Sequence, residues 1–400
     1  LTNTKAEALA WVHPGSEWEV FWKKIYPFRK ILKFTAHTAP KPMKLKEPSL
    51  LLDENKCRNN IAVMADKARQ HRIALHPHFK THQSQQVGEW FREEGIHAIT
   101  VSSLPMAEYF AGDGWEEITV AFPANVLRRD IIRVLSKKIR LNLYINSLES
   151  ARYLEGKLKR PVGVFTELDT GYRRTGIPYE NREEIAVLLD FFQQSEHLQF
   201  QGFYAHAGHT YHVQGKGAVS KIHRETVDRL NEAKSRFSSD IKIAIGDTPA
   251  CSLADDFSGV DTIRPGNFVF YDLVQVQIGA CSYEDIAVCM ACPVVEKRPE
   301  RNEVIVHGGA IHFSKDILEV PEGKHYGKVV HLHDQGWNSP EEGCYLKSIS
   351  QEHGLVKLSP EQMAKVQIGD WLGILPVHSC LTANLMQSYV SLSGRKLVMM

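Results

Sequence analysis

The chain has 400 residues, 43% hydrophobic and 24% charged, with a formal net charge of +1, the make-up of an ordinary globular protein of about two domains. A charge this close to zero gives no electrostatic basis for binding nucleic acid or an acidic membrane surface. No apolar run approaches the roughly 18 residues that span a bilayer. The opening residues, LTNTKAEALAWVHPGSEW, hold no basic stretch followed by an apolar one, so no secretory signal is expected. Seven scattered cysteines fit a reducing, cytoplasmic setting rather than a disulfide framework.

Residues 1–48, with PGSEW and APKPMKLKEP, follow neither a strand nor a helix pattern and are expected to form an arm packing on the C-terminal part or on a second subunit. From 49 to 272 apolar β-rich runs alternate with helical patterns. The runs are SLLLD (49), IALHPHF (73), AITVSS (98), EITVAF (117), RLNLYIN (140), VGVFTELD (162), FQGFYAH (200), IKIAIGD (241) and VDTIRPG (260). Between them lie amphipathic stretches such as ENKCRNNIAVMADKARQH, which Asp53 is placed to N-cap, and GAVSKIHRETVDRLNEAKSRF. Regular alternation means parallel βαβ units, and about eight of them close into a (β/α)8 TIM-type barrel. Nine runs compete for eight places, and SLLLD is the one left outside. Beyond 272, short β-rich runs separated by turns (DIAVCMACPVVEK, NEVIVHGG, HYGKVVHLH, GLVKLS, DWLGILPVHSCL) predict a mostly antiparallel β domain over 273–400. Cys289 and Cys292 form a lone CMAC in an apolar setting, which reads as a buried strand.

In a parallel barrel, chemistry gathers where the strands end and the βα loops converge. HPHFKTH (76–82) lies at the first such end, and a two-residue strand period would turn His76, His78, Lys80 and His82 the same way. Later ends carry ELDTGYRRTG (167–176), YAHAGHTYH (204–212), GDTPACS (246–252) and RPGN (264–267). GDTP and RPGN have the make-up of a phosphate cradle, in which glycines admit backbone N–H groups to an anion and Thr248 or Asn267 adds a donor. Arg174 is placed to donate to an anionic oxygen. An ammonium at Lys80, desolvated among histidines, is expected to give up its proton and attack an aldehyde. A lysine beside a phosphate cradle points to pyridoxal phosphate held as a Schiff base.

The order of these motifs, Lys80 in HPHFKTH, then DTGYRRTG, GDTP, RPGN and a β domain, resembles the fold-type III pyridoxal phosphate enzymes of the alanine racemase superfamily. FYAHAGHTY and PVHSCLTANL are similar to the D-serine dehydratase and D-threonine aldolase branch. The resemblance implies that Lys80 carries the cofactor and acts as the base at Cα. It implies that Arg174 contacts the phenolic oxygen and that Gly246, Thr248, Gly266 and Asn267 bind the phosphate. Arg264 would lie near the pyridine nitrogen, Tyr204 would be a second acid or base, His82 would neighbour the reacting atoms and His78 would pack under the ring. It also implies a homodimer. This chain departs from the branch at His76 and Gln83, at the acidic Asp247 of the phosphate loop, which has to point away from the phosphate, and at VHGGAIHFSKD (306–316), where relatives usually open with an acid.

His378 and Cys380, taken as i and i+2 on a strand, would share a face and bind one metal, with Zn²⁺ favoured by the thiolate. The implied reaction removes water and then ammonia from a D-3-hydroxyamino acid to give a 2-oxo acid. The alternative is retro-aldol cleavage to glycine and an aldehyde. Two rivals fit less of the chain. A metal-dependent amidohydrolase built on HPH, His206 and His209 leaves Lys80, both phosphate turns and the late His-x-Cys without a use. A non-catalytic pyridoxal phosphate carrier has no need of the β domain.

Overall fold

The computed structural model describes residues 45–400, so nearly all of the expected N-terminal arm lies outside the described residues. Eight strands, Ala74–Leu75, Ala98–Val101, Glu117–Pro123, Arg140–Tyr144, Val162–Asp169, Leu198–Ala205, Lys242–Ile245 and Thr262–Ile263, form one all-parallel ladder with a helix between successive members. A parallel bridge between His78 and Thr100 joins its two edges. There Phe79 N–H donates to the Thr100 carbonyl at 2.8 Å and Thr100 N–H to the Pro77 carbonyl at 2.9 Å. The result is a TIM-like near-barrel. The helix Glu54–His71 starts where the sequence predicts, because the Asp53 side chain accepts from Asn55 and Lys56 N–H.

The first strand is shorter than expected. It stops at Leu75, and residues 79–82 turn instead of continuing. Pro77 supplies no N–H to a ladder, and Gln83 takes a left-handed φ of 47°. The same-face reading of His76, His78, Lys80 and His82 is therefore corrected.

The C-terminal part is a closed antiparallel barrel. Val288–Arg298 pairs on one side with Glu303–His307 and on the other with Trp371–Pro376, and the ring runs on through His353–Lys357, Tyr345–Ile349 and Gly327–Val330. Ser49–Leu52 does stay out of the parallel barrel, pairing antiparallel with Val288–Arg298 and parallel with Ser388–Ser391. Cys289 and Cys292 are buried in a strand, as their apolar setting requires. A second correction concerns HSC. The strand ends at Pro376, His378 is the N-cap of the helix Ser379–Met386, and Cys380 sits in that helix's first turn.

One buried carboxylate joins the two parts. Asp272 Oδ2 accepts from Asn267 Nδ2 at 2.6 Å, Ser379 N–H at 3.0 Å and Ser379 Oγ at 3.2 Å, while Oδ1 accepts from Gln275 N–H at 3.1 Å. Asp272→Ala leaves these donors buried without an acceptor, each costing roughly 1–3 kcal/mol. We expect a loss of at least about 3 kcal/mol in urea unfolding; a change under about 1 kcal/mol would mean that the junction does not depend on this group.

Candidate active site

A cavity of about 410 Å³ opens at the C-terminal ends of the barrel strands and is lined by His78, Lys80, Arg174, Tyr204, His206, Gly246, Thr248, Arg264, Gly266, Asn267, His378 and Cys380, among others. A second cavity, of about 200 Å³, lies against strand starts such as Glu117, Arg140 and Lys242 and takes His76 instead. Since barrel chemistry converges at strand ends, the larger cavity is the candidate site.

The HPHFKTH stretch divides among three environments. His78 is buried on the cavity wall, and its Nδ1 accepts from Lys80 N–H at 3.3 Å. Burial, with Lys80 beside it, holds its imidazole neutral. Lys80 itself is exposed at the cavity, so the desolvation expected for its ammonium does not hold. His82 is absent from the lining. It is fully buried against Phe79, Phe91 and Phe110, its Nδ1 accepting from Ser84 N–H, and burial pushes its imidazole down to about 3. A direct part in proton transfer does not fit that position.

The turn bearing Lys80 leans on the C-terminal helix. Thr81 Oγ1 lies 3.3 Å from Cys380 Sγ, Gln83 Nε2 donates to Asn384 Oδ1 at 3.1 Å, and Tyr389 OH donates to the His82 carbonyl at 2.7 Å. His378 and Cys380 share the cavity despite the altered secondary structure. Asp316 Oδ2 sits 3.6 Å from His378 Nδ1 and accepts from Ser314 Oγ at 2.6 Å. Burial opposes charge on His378, yet Asp316 and Cys380 raise it to about 11. Burial likewise opposes a thiolate, and His378 overcomes it to lower Cys380. A cysteine sulfur beside a histidine ring whose Nδ1 faces a carboxylate is a donor set suited to a borderline cation, which binds with release of their protons.

The two glycine turns form a cradle that side chains would fill. A Cβ on Gly246 would meet the Arg264 carbonyl and Tyr204 OH at 2.9 Å, and one on Gly266 would meet the His78 carbonyl at 2.9 Å. Thr248 Oγ1 and Arg264 Nε and Nη1 are buried with no partner among the described residues, which suits a phosphate and a polar ring. Asn267 differs from expectation. Its amide donates to Asp272 and Ser379, so only its backbone N–H remains for an anion. Asp247 does turn aside, capping Ala250 N–H at 2.8 Å and accepting from Thr210 Oγ1 at 2.9 Å.

Tyr204 OH faces the Gly246 carbonyl at 3.4 Å, and burial, then Tyr144, keep the phenol protonated. His206, two residues on, was not among the expected site residues. Its Nδ1 donates to the Gly246 carbonyl, leaving Nε2 as an acceptor, and burial, then Arg174, hold it near 3. Tyr204, which the resemblance pointed to, and His206 both reach the Gly246 carbonyl from the end of the strand Leu198–Ala205. Arg174 approaches Glu167 Oε1 at 3.7 Å, while Thr175 Oγ1 donates to the same carboxyl group at 2.8 Å. Glu167, Thr175, Tyr211 and Asp316 are likewise brought in only by the fold.

Comparison with known proteins follows the same division of the chain. Residues 52–273 match the family model "Alanine racemase, N-terminal domain", and residues 287–392 match "Putative serine dehydratase domain". The chain is 28% identical over 372 residues to D-serine dehydratase of Dictyostelium discoideum, covering 86% of this chain and 93% of that one. It is 26% identical over 366 residues to D-threo-3-hydroxyaspartate dehydratase of Delftia sp. (strain HT23), covering 88% and 95%. The solved structure of the Delftia enzyme superposes with a TM-score of 0.83 at 25% identity over 89% of this chain and 98% of that one. A cysteine-to-alanine mutant of D-threo-3-hydroxyaspartate dehydratase is described in a metal-free form.

Burial raises the Asp247 carboxyl to about 6, against the hydrogen bonds from Ala250 and Thr210 that lower it. Between about pH 4 and 6 the folded chain therefore binds this proton more tightly than the unfolded chain, and its contribution to stability falls as pH rises through that window. Asp247→Asn, which keeps the cap, should flatten the fall by an amount on the order of 2 kcal/mol in denaturation series at stepped pH. An unaltered slope would count against a buried, proton-holding Asp247.

Proposed function

The chain belongs to the alanine racemase N-terminal domain family of pyridoxal phosphate enzymes, and from that premise we propose that it is a pyridoxal phosphate- and zinc-dependent lyase of the D-serine dehydratase kind. Its substrate class would be a D-3-hydroxyamino acid, which loses water and then ammonia to give a 2-oxo acid. The observation that carries this reading is that Lys80, His378 and Cys380, from different parts of the chain, line one cavity with an anion cradle. The names of the D-serine and D-threo-3-hydroxyaspartate dehydratases and the metal-free cysteine mutant support it.

Lys80 would hold the cofactor. Gly246, Thr248, Gly266 and the Asn267 backbone would hold its phosphate, with Arg174 and Arg264 beside its ring, and His378 with Cys380 would hold zinc. Pyridoxal phosphate supplies an electron sink for charge at Cα, and zinc a Lewis acid for the β-hydroxyl. The chain's own groups do the rest. Lys80 Nζ takes the proton from Cα. His78 and His206, both neutral, add polar contact without competing positive charge. The Tyr204 phenol, held protonated, serves as a donor and not as a base. Asp316 fixes the His378 ring so that Nε2 is the nitrogen free for the metal.

Purified protein should absorb at about 420 nm, and Lys80→Ala should abolish both this band and ammonia release from D-serine. A colourless, metal-rich protein would point to the hydrolase rival. Asp316→Asn should weaken zinc binding about 10–100-fold in chelator competition while leaving the cofactor band intact; unchanged zinc affinity would remove Asp316 from this role.

A further inference from the structure

The segment VHGGAIHFSKD (306–316) reaches the site above through Asp316 and its donor Ser314. Its two histidines meet a carboxylate elsewhere. His307 ends the strand Glu303–His307, which pairs antiparallel with His353–Lys357 in a register that sets His307 against His353 and brings Glu352 alongside. Gly308 N–H donates to the Glu352 carbonyl at 2.9 Å and Ala310 N–H to the Ser350 carbonyl at 2.7 Å. A Cβ on Gly309 would lie 2.4 Å from the Ser350 and Gln351 carbonyls, so only glycine permits this approach. The short helix Ala310–Phe313 then carries His312 back toward His307, their rings 5.4 Å apart and perpendicular.

We propose that His307, His312 and Glu352 form a second metal site, for a borderline divalent cation such as Zn²⁺, separate from His378 and Cys380. One ligand atom from each lies within 4.8 Å of the other two. His307 Nε2 is 3.4 Å from Glu352 Oε2, while its Nδ1 is 3.7 Å from Glu47 Oε2. A ligating histidine needs that pairing, one nitrogen for the ion and the other facing an outer carboxylate. Two imidazoles and a carboxylate select zinc-like ions over magnesium or calcium, and three protein ligands leave a position for water. His307 and Glu352 are partly exposed, giving an ion a route in, whereas His312 is buried.

Gly309 N–H donates to His312 Nδ1 at 3.1 Å. An ion on Nδ1 replaces that bond, and an ion on Nε2 leaves the proton on Nδ1, so either mode displaces it. The affinity is accordingly expected to be roughly micromolar and not tighter. The segment runs on from His312 through Ser314 to Asp316, so the ion would brace the loop that reaches His378.

Equilibrium dialysis of the full chain against micromolar Zn²⁺, with bound metal counted by mass spectrometry, tests the site. A chain carrying His378→Ala and Cys380→Ala should keep one equivalent, and adding His307→Ala or Glu352→Gln should remove it, weakening binding at least about tenfold. Each of these latter changes, made alone, should cost the otherwise unaltered chain one equivalent, so the result does not hinge on the folding of the first variant. Zinc content that is insensitive to His307→Ala and Glu352→Gln in both backgrounds overturns the proposal.

Discussion

The arrangement of the cavity depends on a buried carboxylate that never touches it. Asp272 gathers the amide of Asn267 from the last barrel loop and both donors of Ser379 from the start of the C-terminal helix. It thereby sets one edge of the glycine cradle and the pair His378 and Cys380 at a fixed separation. Buried donors of this kind are expensive to leave unmet, so the two loops cannot drift apart independently. The turn bearing Lys80 is tied to the same helix through Thr81 and Gln83, and to the strand Ser388–Ser391 through Tyr389. Two segments distant in sequence are thus registered against one short helix.

Electrostatics complete what the scaffold begins. Burial strips charge from His78 and His206 and keeps Tyr204 and Tyr144 protonated around the cavity. The basic side chains of Lys80, Arg174 and Arg264 line the cavity together with Glu167 and the Cys380 sulfur. A concave site with this excess of positive charge favours anionic groups such as a phosphate or an amino-acid carboxylate. The neutral imidazoles supply hydrogen-bonding capacity without adding repulsion toward Lys80.

Much of this was legible in the sequence, and the exceptions have definite causes. The barrel strands could be read because each is an apolar run bounded by turn residues, and SLLLD was set apart as the first of nine runs competing for eight places. Pro77 and Pro376 ended two strands early, which changed the direction of HPHFKTH and moved HSC onto a helix start. His82 entered an aromatic core because the turn at 79–82 rotates it away from Lys80, something a strand period cannot foresee. Asn267 looked like an anion donor until its partner Asp272 was placed beside it. His206 lies two residues past Tyr204, which was found only through the family resemblance. Asp316 matters through His378 and Glu352 through His307, residues remote in sequence, and the local cap that Asp272 makes with Gln275 does not announce its bonds to Ser379.

The central claim is that the lysine and the His-x-Cys pair act on one substrate to break the Cβ–O bond. Product analysis by NMR after incubation with D-serine, D-threonine and D-threo-3-hydroxyaspartate, with and without a chelator, tests it most directly. The account predicts a 2-oxo acid and ammonia, lost on chelation and restored by zinc. Glycine and an aldehyde in their place would contradict it.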